Sequence, residues 1–170
     1  MCHGNAPRGA KGRVMATGET RGGGLLVVSS AGGVLLDVLA LARAYSGRRR
    51  HVVVDSLDTC EELQGEEVVF RPEPALRKPH TLLAESLFAW RSLRRSRPDL
   101  LLSAGTALAV PWFLVAAVLR IPRVWVETLN IIDTQGLAAR ICARNATLVA
   151  VQHDERVGIH LRTVMVGELM

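Results

Sequence analysis

Short apolar runs alternate along this chain with segments whose apolar residues recur at helical spacing. The first run is Leu25 to Val28, and the segment from Val34 to Ala42 has the spacing of an amphipathic helix. The same patterns predict strands over 51–55, 67–71, 100–103, 123–127, 147–152 and 163–166, and helices over 56–64, 79–97, 107–119 and 133–145. Strands that alternate with helices predict an α/β fold with a doubly wound parallel sheet.

Two of the predicted helices differ in how their apolar residues are arranged. The helix over 79–97 has one mainly apolar face, which consists of Leu82, Leu83, Ser86, Leu87, Trp90 and Leu93. Glu85 and the arginines of this helix lie off that face, and we interpret the arginines as a solvated surface, with contact to anionic lipid as the alternative. The helix over 107–119 is almost wholly apolar, so we expect Trp112 and Phe113 to belong to the buried core.

Two turns of small residues each lead from a predicted strand into a helix, at Ser29 to Gly33 and at Ser103 to Thr106. Glycine lets the backbone approach a ligand, and a helix N-terminus offers unpaired N–H groups that favour phosphate or another anion. The sequence SSAGG is neither GxGxxG nor a phosphate-binding loop with its lysine, so glycines that only permit a tight turn are an equal alternative. The candidate phosphate-binding residues are Ser30, Gly32, Gly33, Gly105 and Thr106.

Ligands of doubly wound sheets bind beyond the carboxyl ends of the strands. We therefore expect the two turns to share one edge of the sheet with Glu127 to Asn130 and with Gln152 to Asp154, which follow two later strands.

Composition and charge limit the size of the domain, the kind of partner it binds and the compartment in which it occurs. The 170 residues are 49% hydrophobic and 4% aromatic, which suits a single domain with a core of Leu, Val and Ala. The formal charge of +5 favours anionic partners, namely nucleic acid, phosphorylated substrates or an anionic membrane face. Three cysteines without a CxxC pair indicate reduced thiols in a cytoplasmic protein. The histidines show no metal-ligand spacing, so we predict no metal site.

The ends of the predicted domain follow from the same composition. Residues 1–24 form a basic, Gly-rich tail that lacks an apolar run, so we predict disorder there and a single domain over 25–170. The longest apolar run, Ala107 to Leu119, contains Pro111 and is shorter than the ~20 residues of a membrane span. Any membrane contact is therefore expected to be peripheral.

The order of six short segments over residues 25–170 resembles a known glycosyltransferase family. The segments are VSSAGG, RPEP, RRSRPDLLLSAGTALAVPW, WVETLN, LVAVQ and MVGEL. They are similar to the acceptor-side subunit of the two-subunit UDP-N-acetylglucosamine transferase of N-glycan assembly and to its bacterial Pss-type and Cps-type polysaccharide counterparts. A more distant similarity is to the N-terminal half of MurG-type enzymes, which have the GT-B fold.

The resemblance implies a Rossmann-like N-terminal half of a GT-B glycosyltransferase that needs no cofactor. Such a chain binds a lipid-linked, polyprenyl diphosphate saccharide acceptor at the inner face of the cytoplasmic membrane, while a catalytic partner subunit supplies the UDP-sugar site. The residues expected to face the partner or the donor sugar are Thr128, Asn130, Gln152 and His153. For Gln152 and His153, a role in merely ending a strand is the alternative.

This chain departs from the family at the first turn, where the usual Gly-Gly-His is Gly32-Gly33-Val34. Valine cannot polarise or deprotonate an acceptor, so Asp37 and Glu127 are the candidate catalytic bases. Their alternatives are a residue that complements the helix dipole and a hydrogen-bonded strand end, respectively. The chain is then an inactive relative, uses another base, or leaves catalysis to its partner.

Two other classes of function fit the residues less well. A nucleotide-binding enzyme such as a dehydrogenase needs GxGxxG and an acidic residue after the second strand, and only the latter, Asp55, is present. A nucleic-acid binder needs aromatic stacking residues interleaved with its arginines, and one tyrosine with three phenylalanines is a poor supply. The favoured function is therefore the two-component glycosyltransferase, and the alternative is a stand-alone nucleotide-binding Rossmann protein or a catalytically degenerate binding module.

Overall fold

The computed structural model describes residues 23–42, 50–55, 63, 67–76, 78–127, 136–151 and 163–165. Within these residues the chain forms strands and α-helices in the order β1 (Leu25–Ser29), α1 (Gly33–Ala42), β2 (Arg50–Val54), β3 (Glu67–Phe70), α2 (Pro79–Ser96), β4 (Leu100–Ala104), α3 (Ala109–Val118), β5 (Arg123–Glu127), α4 (Leu137–Asn145), β6 (Leu148–Val151) and β7 (Thr163–Met165).

The described strands form one sheet in the order β3-β2-β1-β4-β5-β6-β7, and every neighbouring pair is parallel. On one side of β1 lie β2 and then β3, and on its other side lie β4, β5, β6 and β7 in that order. The winding therefore reverses between β1 and β4, and such a reversal opens a crevice beyond the carboxyl ends of the two strands. The predicted α/β fold with a doubly wound parallel sheet is confirmed.

Successive residues of each strand point to opposite faces of the sheet, and helices cover both faces. On one face, Leu25 and Val27 of β1 pack with Leu35 and Val38 of α1. On the other face, the intervening strand residues pack with α2, α3 and α4, whose buried residues include Ala89, Leu93, Trp112, Phe113, Ala139 and Cys142. This burial on both faces explains why the strands are continuous apolar runs. The prediction that Trp112 and Phe113 are buried is confirmed.

The predicted element bounds agree with the structure to within one or two residues at most positions. β5 has the predicted bounds, and α2 ends at Ser96 because Arg97 adopts the left-handed conformation directly before Pro98. The predicted helix over 56–64 lies outside the described residues except for Leu63, as does the start of the helix predicted from Asp133. The predicted tail is outside them up to residue 22.

The mainly apolar face predicted for α2 is not the face that the structure buries. Leu83 and Leu87 are 62% and 53% exposed, whereas Glu85 is 3% exposed and lies on the buried stripe with Ala89 and Leu93. The small Ala89 side chain permits close packing against the neighbouring layer, and hydrogen bonds to the Glu85 carboxylate compensate for its burial. Tertiary partners therefore set the rotation of α2 about its axis.

Candidate functional site

The candidate site lies at the edge of the sheet where the parallel strands end, here called the carboxyl edge. The register pairs Ala104 of β4 with Ser29 of β1 and with Val126 of β5. The residues that follow these three form the next row, which consists of Ser30, Gly105 and Glu127. Neighbouring strands are ~4.8 Å apart, so this row extends over about 10 Å. The structure thus brings together turns that are far apart in the sequence.

The β1–α1 turn leaves open space at the start of α1. Gly32 has a φ of +96°, and its carbonyl accepts hydrogen bonds from Leu35 N at 3.0 Å and from Leu36 N at 3.4 Å. Both Gly32 and Gly33 are exposed, and a Cβ on either would meet nothing within 4 Å. Upstream, Ala31 N donates to Asp55 Oδ1 at 2.8 Å. The turn is therefore tied to the end of β2, while the glycines at the first helical turn face open space.

The β4–α3 turn lies directly against the β1–α1 turn. Gly105 has a φ of +65°, and a Cβ there would lie 3.3 Å from Val34 Cγ1. Val34, which stands where the resembled family has histidine, thus projects towards Gly105. The two turns together form the walls of what we call the switch-point crevice, between the ends of β1 and β4.

Internal hydrogen bonds already occupy the start of α3. Thr106 is 2% exposed, and its Oγ1 accepts from Leu108 N at 3.2 Å. The same hydroxyl donates to Glu73 Oε1 at 3.1 Å, and Ala107 N donates to that oxygen at 3.0 Å. The Glu73 carboxylate therefore lies where an anion would bind at this helix N-terminus.

Glu73 and Glu85 were not among the predicted site residues. Glu73 belongs to the segment Arg71–Pro74, and Glu85 is bound to it. Arg71 Nε and Nη2 donate to Glu85 Oε2 at 2.9 and 2.6 Å. Glu85 Oε1 accepts in addition from Trp112 Nε1 at 3.0 Å. The available signal was a glutamate between two prolines, Pro72 and Pro74, but the sequence RPEP was used only as part of the family resemblance.

The two predicted catalytic carboxylates lie on different sides of the sheet. Trp125 belongs to the cluster under α2, α3 and α4, and Val126 belongs to the cluster under α1. Glu127, two residues beyond Trp125, therefore points towards the layer of α2, α3 and α4, and it is 4% exposed. Asp37 is half-buried on α1, which covers the opposite face. The structure does not bring Asp37 and Glu127 together.

Two groups that lie away from the carboxyl edge have pKa values that burial shifts. Desolvation raises the pKa of the Cys142 thiol from 9.0 to about 12, which makes it unsuitable as a nucleophile at neutral pH. Desolvation lowers the pKa of Arg123, whose Nε donates to Asn145 O at 2.7 Å and whose Nη1 donates to Ile121 O at 2.6 Å. Both residues stabilise the fold and neither belongs to the candidate site.

Several predicted features lie outside the described residues and stay predictions. They are the expected donor-facing or partner-facing residues Thr128, Asn130, Gln152 and His153. Among the residues that the structure describes, no three His, Cys, Asp or Glu side chains are grouped so that they would hold a metal ion. None of the described helices combines the length and the hydropathy needed to cross a bilayer.

No protein-family model matches the sequence, and neither does any curated protein. Solved structures do match: MurG from Acinetobacter baumannii has a TM-score of 0.68 at 18% identity, over 84% of this chain and 45% of that protein. UDP-GlcNAc 2-epimerase from Methanocaldococcus jannaschii has a TM-score of 0.64 at 12% identity, over 85% and 45% of the two chains. A glycosyltransferase from Rickettsia africae has a TM-score of 0.62 at 14% identity, over 88% and 44%.

These likenesses establish the fold of the described chain. The sheet and its helices match the Rossmann-like N-terminal half of a GT-B glycosyltransferase. The chain spans slightly less than half the length of the structures that it matches.

Proposed function

We propose that this chain is the acceptor-side half of a two-component, UDP-sugar-dependent hexosyltransferase. In this proposal it binds a saccharide linked to polyprenyl diphosphate, and a partner subunit carries the UDP-sugar site. The active site forms between the two subunits, and sugar transfer contributes to polysaccharide or glycolipid biosynthesis. The chain acts at the inner face of the cytoplasmic membrane, with which it associates peripherally.

The observation that carries the proposal is the switch-point crevice in a chain with the fold of one GT-B half. The crevice has an open helix N-terminus at Gly32 and Gly33, which are both exposed. The backbone N–H groups at the start of a helix suit a diphosphate. Asp55 argues against the nucleotide-binding alternative, because its Oδ1 accepts from Ala31 N within the protein. In a dinucleotide-binding domain, the acidic residue in this position instead binds the ribose of the ligand.

In the proposed reaction, a carboxylate removes the proton of the acceptor hydroxyl as that oxygen attacks the anomeric carbon of the donor sugar. The bond from this carbon to the diphosphate breaks, and UDP leaves with the bonding electrons. Glu127 is the better candidate for this base, because it is the last residue of β5 at the carboxyl edge, in the same row as Ser30 and Gly105. Asp37 lies on the helix that covers the opposite face of the sheet. Val34 leaves the family's histidine position without a titratable group, so the base has to come from another residue or from the partner.

Sugar transfer from a panel of UDP-sugars to a polyprenyl-diphosphate saccharide tests the proposal. The purified chain is assayed alone and together with its candidate partner. Activity only in the mixture supports the two-component enzyme and identifies the sugar. Activity of the chain alone contradicts the half-enzyme proposal. Absence of activity and of association between the two proteins favours the catalytically degenerate binding module.

Gly33→Ala tests whether the β1–α1 turn holds the acceptor diphosphate. Gly33 does not require a positive φ, and a Cβ there would meet nothing within 4 Å, so the fold tolerates the change. The added methyl group projects into the space that the proposal assigns to the diphosphate, so we expect the acceptor KM to rise about tenfold, which corresponds to ~1.4 kcal/mol of binding free energy. Gly136→Ala is the matched control, because Gly136 precedes α4 and also faces open space. Equal KM values for the two variants would place the diphosphate elsewhere.

Peripheral membrane contact is supported by the charge of the helices on one face of the sheet. Helices α2 and α4 carry the arginines Arg91, Arg94, Arg95, Arg140 and Arg144, all of them exposed or half-buried. The only acidic residue in α2, α3 and α4 is Glu85, which is buried against Arg71. Exposed apolar side chains on the same three helices are Leu83, Leu87, Leu114, Val118 and Leu137. This combination suits an anionic lipid surface.

Co-sedimentation with vesicles of anionic or zwitterionic lipid tests the membrane contact. Each arginine near an anionic surface contributes ~1 kcal/mol, so changing Arg91, Arg94 and Arg95 together to Gln is expected to weaken binding to anionic vesicles on the order of 100-fold. The matched control changes the same three residues to Lys. This change keeps the positive charge, so binding to anionic vesicles is expected to stay at the wild-type level. Equal binding of all three proteins would refute a role for this surface.

A further inference from the structure

The segment Arg71–Pro74, here called the RPEP strap, connects the end of β3 to two other parts of the protein. At its start, Arg71 N donates to Val54 O of β2 at 2.8 Å. The Arg71 guanidinium binds the buried carboxylate of Glu85 on α2 and lies 4.0 Å from the centroid of the Phe88 ring. The start of the strap is therefore held by both β2 and α2.

The other end of the strap reaches the β4–α3 turn. Glu73 Oε1 accepts from Thr106 Oγ1 and from Ala107 N, at 3.1 and 3.0 Å. Three strand spacings separate β3 from β4, which is about 14 Å. A few extended residues followed by a glutamate side chain span this distance. The strap therefore crosses the carboxyl edge, and Pro72 and Pro74 restrict its backbone on both sides of Glu73.

The contacts of Glu73 have an electrostatic consequence. The start of α3 offers backbone N–H groups and a partial positive charge, which together would attract a phosphate. The Glu73 carboxylate already accepts from Ala107 N, and the Thr106 hydroxyl that it binds accepts from Leu108 N. A second anion at this position would have to displace the carboxylate and would also be repelled by it.

We propose that Glu73 is a positioning residue that closes the start of α3 to anions and holds the β4–α3 turn in place. Of the two turns that wall the switch-point crevice, only the β1–α1 turn then receives the diphosphate of an acceptor. The identity of that anion rests on the proposed function, whereas the closing of α3 by Glu73 does not. Gly105 and Thr106 accordingly shape the crevice, and Gly32 and Gly33 contact the anion.

Amide NMR of the full chain, titrated with inorganic diphosphate, tests this inference without requiring a partner or a reaction. In the wild type, the amide resonances of Ala107 and Leu108 are expected to stay unchanged. In Glu73→Ala, which removes both the charge and the two contacts, they are expected to shift as diphosphate is added and to reach saturation. Glu73→Gln keeps an acceptor oxygen for both contacts, so it is expected to respond less than Glu73→Ala and more than the wild type.

Two further readouts separate positioning from anion exclusion and from misfolding. Without diphosphate, the amide shifts of Gly105 to Leu108 are expected to change in Glu73→Ala and to return close to wild-type values in Glu73→Gln. Glu67→Ala removes a carboxylate at the start of β3, at the other edge of the sheet, and is expected to resemble the wild type throughout. If Glu73→Ala does not fold, the comparison of Glu73→Gln with the wild type still decides the matter.

The inference is overturned if diphosphate shifts the Ala107 amide equally in the wild type and in the Glu73 variants, or in none of them. The wild-type resonances of Gly32 and Gly33 report separately on the proposed function. If they do not respond to diphosphate while Ala107 responds in Glu73→Ala, the β1–α1 turn is not the phosphate site, and the closing of α3 by Glu73 stands.

Discussion

Replacing Glu85 with alanine is expected to destabilise the fold by about 3 kcal/mol. The carboxylate accepts three hydrogen bonds, from Arg71 Nε at 2.9 Å, from Arg71 Nη2 at 2.6 Å and from Trp112 Nε1 at 3.0 Å. Alanine leaves the fully buried Trp112 indole N–H without an acceptor, which costs roughly 1–3 kcal/mol. The Arg71 side chain is 28% exposed, so water compensates for part of its lost pairing, and the total stays near the lower end of the ~3–5 kcal/mol of a broken buried pair.

Urea unfolding followed by circular dichroism measures this loss, and thermal unfolding is expected to show a decrease in Tm of roughly 6–12 °C. Glu85→Gln keeps an acceptor oxygen for Trp112 and is expected to cost less, about 1–2 kcal/mol. Arg91→Ala is the control on the same helix, because Arg91 is exposed, and its cost is expected to stay within about 0.5 kcal/mol.

A double-mutant cycle isolates the interaction between Arg71 and Glu85. Among the described residues, Arg71→Met leaves Trp112 as the remaining donor to the buried Glu85 carboxylate, so this single change is expected to cost at least ~3 kcal/mol. Arg71→Met combined with Glu85→Leu removes both charges and is expected to cost less than the sum of the two single changes. A coupling free energy below about 0.5 kcal/mol, or a Glu85→Ala protein as stable as the wild type, would refute this account of the buried glutamate.

Three further changes test the turn, the core and the candidate base. Gly105→Ala is expected to cost about 1–2 kcal/mol in urea unfolding, because φ is +65° and the new Cβ would lie 3.3 Å from Val34 Cγ1, whereas the control Gly136→Ala is expected to have little effect. Burial raises the pKa of Cys142 to about 12, so peptide mapping is expected to find it unmodified by iodoacetamide at pH 8 unless the chain is unfolded. The folded chain keeps this thiol protonated up to a higher pH than the unfolded chain does. The stability that the thiol contributes is therefore complete below pH 9 and is lost as the pH rises to about 12. The urea midpoints of the wild type and of Cys142→Ala, compared across this pH range, measure the loss. In the transfer assay, Glu127→Gln is expected to lower kcat at least ~100-fold at an unchanged acceptor KM, and an unchanged kcat would exclude Glu127 as the base.

The strands and helices could be predicted because their signals are local. β5 was predicted with the bounds that the structure shows, since Pro122 precedes its apolar run and a charged residue ends it. The bounds of α2 follow from Pro79 in its first turn and from Pro98 just beyond its end. The alternation of such elements is enough to select a parallel doubly wound sheet, because parallel strands need crossover helices.

The orientation of α2 could not be predicted in the same way. Its apolar periodicity placed Leu83 and Leu87 on the apolar face and Glu85 off it, but the structure exposes both leucines and buries Glu85. A glutamate can occupy a core position only when donors compensate for its desolvation. Those donors come from Arg71 and Trp112, which belong to other elements, so no local pattern reveals them.

The same distinction applies to the candidate site. The two small-residue turns were predicted to share an edge of the sheet, and the contact between the Gly105 position and Val34 confirms that they do. Glu73 was missed because its partners, Thr106 and Ala107, lie more than 30 residues further along the chain. Asp55 was considered only as a ribose ligand, although its carboxylate binds the backbone of the β1–α1 turn.

Local patterning was thus sufficient for the strands and helices that the structure describes, for the parallel sheet and for the two turns at its carboxyl edge. Hydrophobic periodicity, proline and glycine act over a few neighbouring residues, and each can be recognised without knowledge of the fold. Which helix N-terminus stays open and which carboxylate is buried depended on contacts between distant segments. A charged side chain is stable in such a place only if the folded chain supplies its partners, and here the RPEP strap supplies Arg71 to Glu85 and Glu73 to the start of α3.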